Sequence, residues 1–210
     1  MKHARALRAI AIATTLTLAA CGSDGSVDTA ASDPSSPTVA TSSDAATSAG
    51  DHNEADVMFA QSMIPHHAQA VEMSDIVLAK DGVDERVLAI AQQVKDAQGP
   101  EITQMQGWLE GWGAEMPDMS GGMMGEDGGM DHSTNGMMSM QDMQSLQDAD
   151  GAQASRLFLE QMTAHHQGAI MMAQAEVENG QAADAVALAE MIVSTQQDEI
   201  AEMTGILETL

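Results

Sequence analysis

The chain has 210 residues, of which 32 are acidic and seven are lysine or arginine, so its formal net charge is −25 at pH 7. A charge this negative argues strongly against nucleic acid and anionic lipid as partners and favours cations, although solubility outside the cell is an alternative explanation. Aromatic residues make up 2% of the chain and tyrosine is absent. Aliphatic residues and methionine must therefore fill the core, a composition typical of helices.

Residues 1–20 have the order of a bacterial secretion signal. A basic start is followed by an apolar run over residues 10–18, which is too short to span a membrane permanently. Leu-Ala-Ala then precedes Cys21, the only cysteine, and this order resembles a lipoprotein cleavage site. Cleavage there would make Cys21 the lipid-modified first residue of a secreted protein, anchored to the outer face of the cell membrane. The alternative is a chance cysteine in an ordinary signal peptide.

Residues 21–50 are predicted to form a disordered tether. They are rich in serine, threonine, alanine, aspartate and proline, and only Val27 and Val39 are large and apolar. Such a segment cannot bury enough apolar surface to offset the entropy lost on ordering. We therefore expect one folded domain over residues 51–210, held off the membrane by the tether.

Two segments of this domain are repeated. Residues 59–73 align with residues 158–172 at an offset of 99, and residues 98–105 align with residues 196–203 at an offset of 98. Because two matched segments share nearly one offset, chance similarity is an inadequate explanation. The repeated unit is interpreted as a helical hairpin that occurs twice.

Apolar spacing and glycines predict the bounds of each hairpin. Residues three and four apart form apolar stripes typical of helices, and Gly82 and Gly180 are placed as helix stops. The predicted helices cover residues 53–80, 84–112, 152–179 and 182–210, with a short additional helix over 140–148. The predicted fold is all-α: a four-helix bundle of two hairpins, 52–112 and 152–210, joined by a long connection over 113–151.

The first helix of each hairpin carries Met-x-x-His-His, a spacing that places the methionine and both histidines on one side of the helix. The candidate metal ligands are Met63, His66, His67 and Met73 in the first copy and Met162, His165, His166 and Met172 in the second. If the copies face each other, four imidazoles and at least two thioethers meet. This set suits copper, with Cu(I) favoured by the thioethers and Cu(II) possible through the histidines. The alternatives are a polar seam for the histidines and core packing for the methionines.

A duplicated Gln-x-x-Glu accompanies the histidines, as Gln98 with Glu101 and Gln196 with Glu199. His66 and Gln98 each lie 16 residues from Gly82, so an antiparallel hairpin brings them to one level. The glutamines and glutamates are therefore predicted to accept the second ring N–H of ligand histidines, or to bind a harder metal directly.

The connection between the hairpins is rich in methionine and glycine. Its candidate soft-metal ligands are Met116, Met119, Met123, Met124, Met130, His132, Met137, Met138 and Met140. Methionines in such a loop are expected to bury nothing and to be open to oxidation. Packing does not explain them, whereas capture of a soft metal does. The alternative is a flexible linker of biased composition.

The chain also resembles a known family. The resemblance rests on FAQSMIPHHAQA at 59–70 and FLEQMTAHHQGAIMMA at 158–173, which look like the paired signatures of the bacterial domain of unknown function 305. It covers roughly residues 52–210 and implies a bundle similar to ferritin-like helical proteins. Some members of that family are implicated in copper binding and tolerance outside the cytoplasm, but the resemblance implies the fold with more force than the function. His52 and Asp56 fit the family pattern but lack duplicated counterparts, so they are given no ligand role.

The leading hypothesis is a copper buffer or carrier outside the cytoplasm, which limits toxicity or passes the ion to a copper-handling protein. A ferritin-like di-metal oxidase is the enzyme alternative. That chemistry needs Glu-x-x-His on two helices, and the sequence contains no such motif, so we predict that the protein is not an enzyme. A helical surface module that binds a protein partner without metal is the third hypothesis. The oligomeric state is left open.

Overall fold

The computed structural model describes residues 51–117 and 135–210, and these ranges contain five helices. The predicted signal peptide over 1–20, the tether over 21–50 and Cys21 lie outside the described residues. The loop candidates Met119, Met123, Met124, Met130 and His132 lie outside them too. None of the helices in the described ranges has the length and apolarity needed to cross a membrane.

The first hairpin closely follows the predicted bounds. Helix α1 covers Glu54–Leu78 and helix α2 covers Glu85–Trp112. Gly82 lies in the turn between them with a φ of 77°, a left-handed conformation that favours glycine. Gly113, with a φ of 66°, ends α2 in the same way. Helix α1 ends two residues before the predicted Lys80.

The second hairpin follows a short helix in the connection. Helix α3 covers Met140–Asp148, helix α4 covers Gly151–Asn179 and helix α5 covers Ala183–Leu207. Helix α3 has the predicted bounds, and α4 begins one residue earlier than predicted. Helix α5 ends before the last three residues of the chain.

The helices pack as a four-helix bundle. Helix α1 packs against α2 and α4, α5 packs against α4 and α2, and α3 lies against α1 and α4. At one end, the side-chain amide of Asn53 before α1 donates to the carbonyl oxygen of Asn179 at the end of α4. Helices α1 and α4 are therefore antiparallel. The prediction of an all-α four-helix bundle is confirmed.

Two apolar clusters fill the bundle. The first cluster includes Met73, Val87, Ile90, Phe158, Met162 and Met203. The second cluster includes Phe59, Met63, Met105, Leu109, Leu188 and Ile192. Along both α1 and α4, the residues of one cluster are separated from those of the other by the His-His pair. The histidines therefore form a polar layer between two apolar halves of the core.

Equivalent positions of the duplication stabilise the start of the second helix in the opposite hairpin. Asp56 accepts hydrogen bonds from the backbone N–H of Gln181 at 3.0 Å and of Ala182 at 2.9 Å. Ser155, 99 residues later, accepts one from the backbone N–H of Asp84 at 3.0 Å. Since Ala182 has no capping side chain of its own, Asp56 provides the cap of α5.

Replacing Asp56 with alanine is expected to lower the free energy of unfolding by about 2 kcal/mol, because buried N–H groups lose a charged acceptor. Urea unfolding of the full chain measures the change. Glu54→Ala, at an exposed position on the same turn, is the matched control and should change stability by less than ~0.5 kcal/mol. Equal effects of the two substitutions would contradict the capping role.

Candidate metal centre

The two His-His pairs meet at the centre of the bundle. His66, His67, His165 and His166 are all buried. The ring centroids of His66 and His165 lie 3.7 Å apart with an interplanar angle of 35°, and those of His165 and His166 lie 6.5 Å apart. The prediction that the duplicated pairs converge inside one bundle is therefore confirmed. We call these four residues the histidine layer.

Two glutamates hold the outer edges of the histidine layer. Nε2 of His67 lies 2.7 Å from a carboxylate oxygen of Glu101, and Nε2 of His166 lies 2.8 Å from one of Glu199. The second oxygen of Glu199 accepts from Gln93. In a neutral imidazole that donates from Nε2, Nδ1 carries a lone pair. The glutamates thus stand where the duplicated motif predicted them and select the tautomer in which Nδ1 is a possible metal ligand.

Several polar atoms of the histidine layer and of two neighbouring glutamines are buried without a hydrogen-bond partner. They are Nδ1 of His66, His67 and His166, both ring nitrogens of His165, both amide atoms of Gln98 and the amide oxygen of Gln196. Each buried polar atom without a partner costs about 1–3 kcal/mol. A cation that accepts several of the lone pairs would remove that cost. The predicted support of the histidines by Gln98 and Gln196 is not made, because the glutamates occupy that position.

Burial keeps the central imidazoles neutral. It lowers the pKa of His66 to about 3, with a further lowering from His67 that outweighs the hydrogen bond to Asn135. Burial also lowers the pKa of His165 well below its usual value, with added effects from the charges of the other three histidines. The backbone of His66 approaches His165 without making a hydrogen bond. Since metals bind the unprotonated ring, both residues are ready to act as ligands at neutral pH.

A segment of the connection covers the histidine layer, and we call residues 135–138 the strap. Nε2 of His66 donates to the carbonyl oxygen of Asn135 at 2.9 Å. Gln69 holds Met138 by both backbone groups, donating to its carbonyl at 2.9 Å and accepting from its N–H at 2.7 Å. A Cβ at position 168 would overlap the carbonyl of Asn135. The close approach of the strap therefore requires Gly168.

Sequence reasoning did not find the strap residues. Gln69 and Gly168 are counterparts in the duplication, but most of the aligned positions around them differ as well, so the difference between them carries no signal. In the structure both positions contact the strap, one by hydrogen bonds and the other by leaving space. These two counterparts therefore lie where the connection crosses the bundle.

The helix methionines flank the histidine layer. Met63 is buried in the second cluster and Met162 in the first, so the two thioethers lie on opposite sides of the layer, each about one helical turn from its histidines. Met73 is buried in the first cluster, while Met172 is half-buried against the second. In the described residues no group of three or more His, Cys, Asp or Glu side chains is arranged to hold a metal ion. Completion of a site therefore requires a thioether or a change of side-chain rotamer, and the ligand roles stay predictions.

The described methionines of the connection fall into two groups. Met116 and Met140 are exposed, and Met137 is half-buried. Met138 packs against the first cluster and Met143 is buried within it. The expectation that methionines of this connection bury nothing is wrong for Met138 and Met143. The reason is that the strap and α3 fold back over α1 and α4 and bring these side chains to the core.

Comparison with known proteins identifies the fold. The family described as Domain of unknown function (DUF305) matches residues 56–207. A DUF305 fragment from Deinococcus radiodurans is 30% identical with a TM-score of 0.66, and the match covers 77% of this chain and all of the fragment. A DUF305 protein from Streptomyces coelicolor, thought to be secreted, is 34% identical with a TM-score of 0.63, over 74% of this chain and 91% of that one. No curated protein matches the chain.

Similar structures include CopM with copper bound. The Cu(I)-bound form is 25% identical with a TM-score of 0.59, and the Cu(II)-bound form is aligned at 27% identity with a TM-score of 0.61. Each match covers 73% of this chain and 96% of CopM. The family match spans most of the sequence, including both copies of Met-x-x-His-His. The chain therefore belongs to the DUF305 family.

Proposed function

We propose that this protein binds copper outside the cytoplasm and acts as a buffer or carrier for the ion. The observation that carries the proposal is the histidine layer, in which five ring nitrogens of four buried imidazoles have no hydrogen-bond partner. Neutral nitrogen donors beside thioethers form a set that copper accepts in both oxidation states. The likeness to CopM, whose structures include Cu(I)-bound and Cu(II)-bound forms, supports the same metal.

The arrangement suits Cu(I) better than a hard cation. Nδ1 of His67, Nδ1 of His166 and the ring of His165 are buried nitrogen atoms without a hydrogen-bond partner, and Met63 and Met162 lie in the adjacent turns of the same helices. A neutral set of this kind binds a monovalent ion without burying excess negative charge. Glu101 and Glu199 would fix the ligand rings from outside the metal's own shell.

The remaining parts of the proposal concern location and delivery. Secretion through residues 1–20, a lipid anchor at Cys21 and capture of copper by the methionine-rich loop would place the bundle where extracellular copper first arrives. Transfer to another copper-handling protein is part of the same proposal. We further propose that the protein binds copper without turning over a substrate, since the duplicated motif offers imidazoles where a di-metal oxidase has Glu-x-x-His.

Substitution of both central histidines tests the proposed site. In the full chain, His66→Gln with His165→Gln is expected to raise the Kd of the tightest-binding class of Cu(I) sites by about 100-fold or more. Even the outer partners of metal ligands change affinity by 10–100-fold. The measurement is titration with Cu(I) against a chromogenic Cu(I) chelator, with circular dichroism to show that the helices persist.

The matched control is His52→Gln, which changes a histidine outside the layer. This substitution should leave the Kd of the tightest-binding class of Cu(I) sites unchanged. If the double variant retains that class with the affinity of the wild type, the histidine layer is not the copper site. All of the bound copper would then have to be assigned to the methionine-rich connection.

A further inference from the structure

A cleft between α1 and α4 lies apart from the histidine layer. It has a volume of about 290 Å³, and its walls include Met58, Phe59 and Ser62 from α1 with Met172 and Glu176 from α4. Met58 is 50% exposed, so its thioether has room to move over the opening. Two methionines on facing walls and one buried carboxyl group thus line a single cleft.

Glu176 is the unusual member of this cleft. The residue is 2% exposed, and its carboxyl oxygens receive no hydrogen bond from a backbone or side-chain N–H, while the protonated carboxyl group shares a hydrogen bond with Asp56. Gly180 leaves the space for it, because a Cβ there would overlap the carboxyl group. A buried carboxylate without donors is costly unless a proton or another cation compensates it. The geometry therefore presents a carboxyl group ready to accept a positive charge.

The neighbouring Asp56 adds negative charge and cannot turn toward a cation itself. Burial opposes its ionisation, but hydrogen bonds from Asn53, Glu176, Ala182 and Gln181 outweigh that effect and lower its pKa. Both of its oxygens are used by these backbone donors. Asp56 thus acts as a fixed anion behind Glu176.

No basic side chain of the described residues is available to balance this pair. Lys80 donates to backbone carbonyls, Arg86 pairs with Asp84, and Lys95 pairs with Asp75. Arg156 lines a different cleft, 20 residues earlier in the chain. Without a metal, Glu176 keeps its proton, since burial and the adjoining Asp56 raise its pKa to about 8.

We propose that this cleft is a second metal site, which takes a soft monovalent cation such as Cu(I) between the thioethers of Met58 and Met172 and the carboxylate of Glu176. Two thioethers match the softness of the ion, and one carboxylate neutralises its charge. Met172 lies seven residues beyond His165, ~10 Å along α4. The site is therefore separate from the histidine layer, and this proposal does not depend on copper binding there.

Methyl NMR with Ag(I) as a redox-silent probe tests the site in the full chain. With methionine methyl groups labelled by carbon-13, the resonances of Met58 and Met172 are assigned from Met58→Leu and Met172→Leu. Both resonances are expected to shift on one common binding curve as Ag(I) is added. Met172→Leu, which conserves volume, should abolish the shift at Met58. Met171→Leu, at the exposed neighbour outside the cleft, should leave it intact.

Three further variants decide the result. Glu176→Gln is expected to raise the apparent Kd of the common curve by about tenfold or more, whereas Glu178→Gln on the exposed face should leave it unchanged. His66→Gln with His165→Gln should also leave this curve intact, so failure of the histidine site and failure of the cleft site are distinguishable. Independent curves for the two methyl groups, or equal Kd values in Glu176→Gln and Glu178→Gln, would overturn the proposal.

Discussion

Acidification from pH 6.5 to pH 4.5 is expected to destabilise the wild-type chain more steeply than a variant carrying His66→Gln and His165→Gln. The pKa of His66 falls to about 3 in the folded protein, and that of His165 falls well below its usual value. The unfolded chain therefore binds protons at these rings near pH 6.5, while the folded chain does not. Because the unfolded state binds more protons in this window, the free energy of unfolding falls as the pH falls.

The size of this effect follows from the same linkage. A histidine that only the unfolded state protonates contributes at most ~1.4 kcal/mol per pH unit, so the loss across this window is a large part of the stability of a typical domain. Glu176 acts in the opposite direction. Its pKa is raised to about 8, so its contribution to stability is lost as the pH rises and regained on acidification. This contribution is common to both proteins and cancels in their difference.

Urea unfolding at pH 7.5, 6.5, 5.5 and 4.5 measures the difference. The free energy of unfolding of the variant minus that of the wild type should become more positive as the pH falls below 6.5. Parallel curves for the two proteins would show that the central histidines already carry protons or water contacts in the folded state. The copper proposal depends on unprotonated ring nitrogens without hydrogen-bond partners, and these would then be absent.

Gly168→Ala is expected to lower the free energy of unfolding by about 3 kcal/mol, because overpacking at a rigid backbone contact costs about this much. The added methyl group would overlap the carbonyl of Asn135 and approach Gly136. The strap must then move away, and Nε2 of His66 loses its acceptor. Urea unfolding gives the stability, and hydrogen exchange of the Met138 N–H, normally bonded to Gln69, reports whether the strap has lifted.

Gly107→Ala provides the matched control for this prediction. Gly107 is also a helical glycine, but a Cβ there would meet nothing within 4 Å. Alanine has the higher helix propensity, so this change should raise stability by up to ~1 kcal/mol. Opposite signs for the two substitutions support the requirement for close packing at the strap. A neutral or stabilising Gly168→Ala would mean that the strap rests on the bundle loosely.

The duplicated parts of this fold and the short helix α3 could be predicted from the sequence, whereas the strap and the surroundings of Glu176 could not. Two copies of Met-x-x-His-His and Gln-x-x-Glu at nearly one offset determine which faces meet, so the convergence of the histidines and their contacts with Glu101 and Glu199 followed from helix geometry. The strap has no such signal, since its contacts use the backbone carbonyl of Asn135 and the absence of a side chain at Gly168. The role of Glu176 depends on the turn after α4, and periodicity carries no information about it.

The strap also makes the two halves of the duplication unequal. It provides an acceptor for His66 while His165, its counterpart, keeps both ring nitrogens free of hydrogen bonds. Binding of an ion at Nε2 of His66 would require the Asn135 carbonyl to be displaced, whereas binding at His165 would break no hydrogen bond of that ring. In a protein built from two copies of the first hairpin, glutamine would replace Gly168. Its side chain would then occupy the space that the Asn135 carbonyl of the strap needs. Gly168 thus makes the two halves of the histidine layer chemically different, although the helices that carry them are related by duplication.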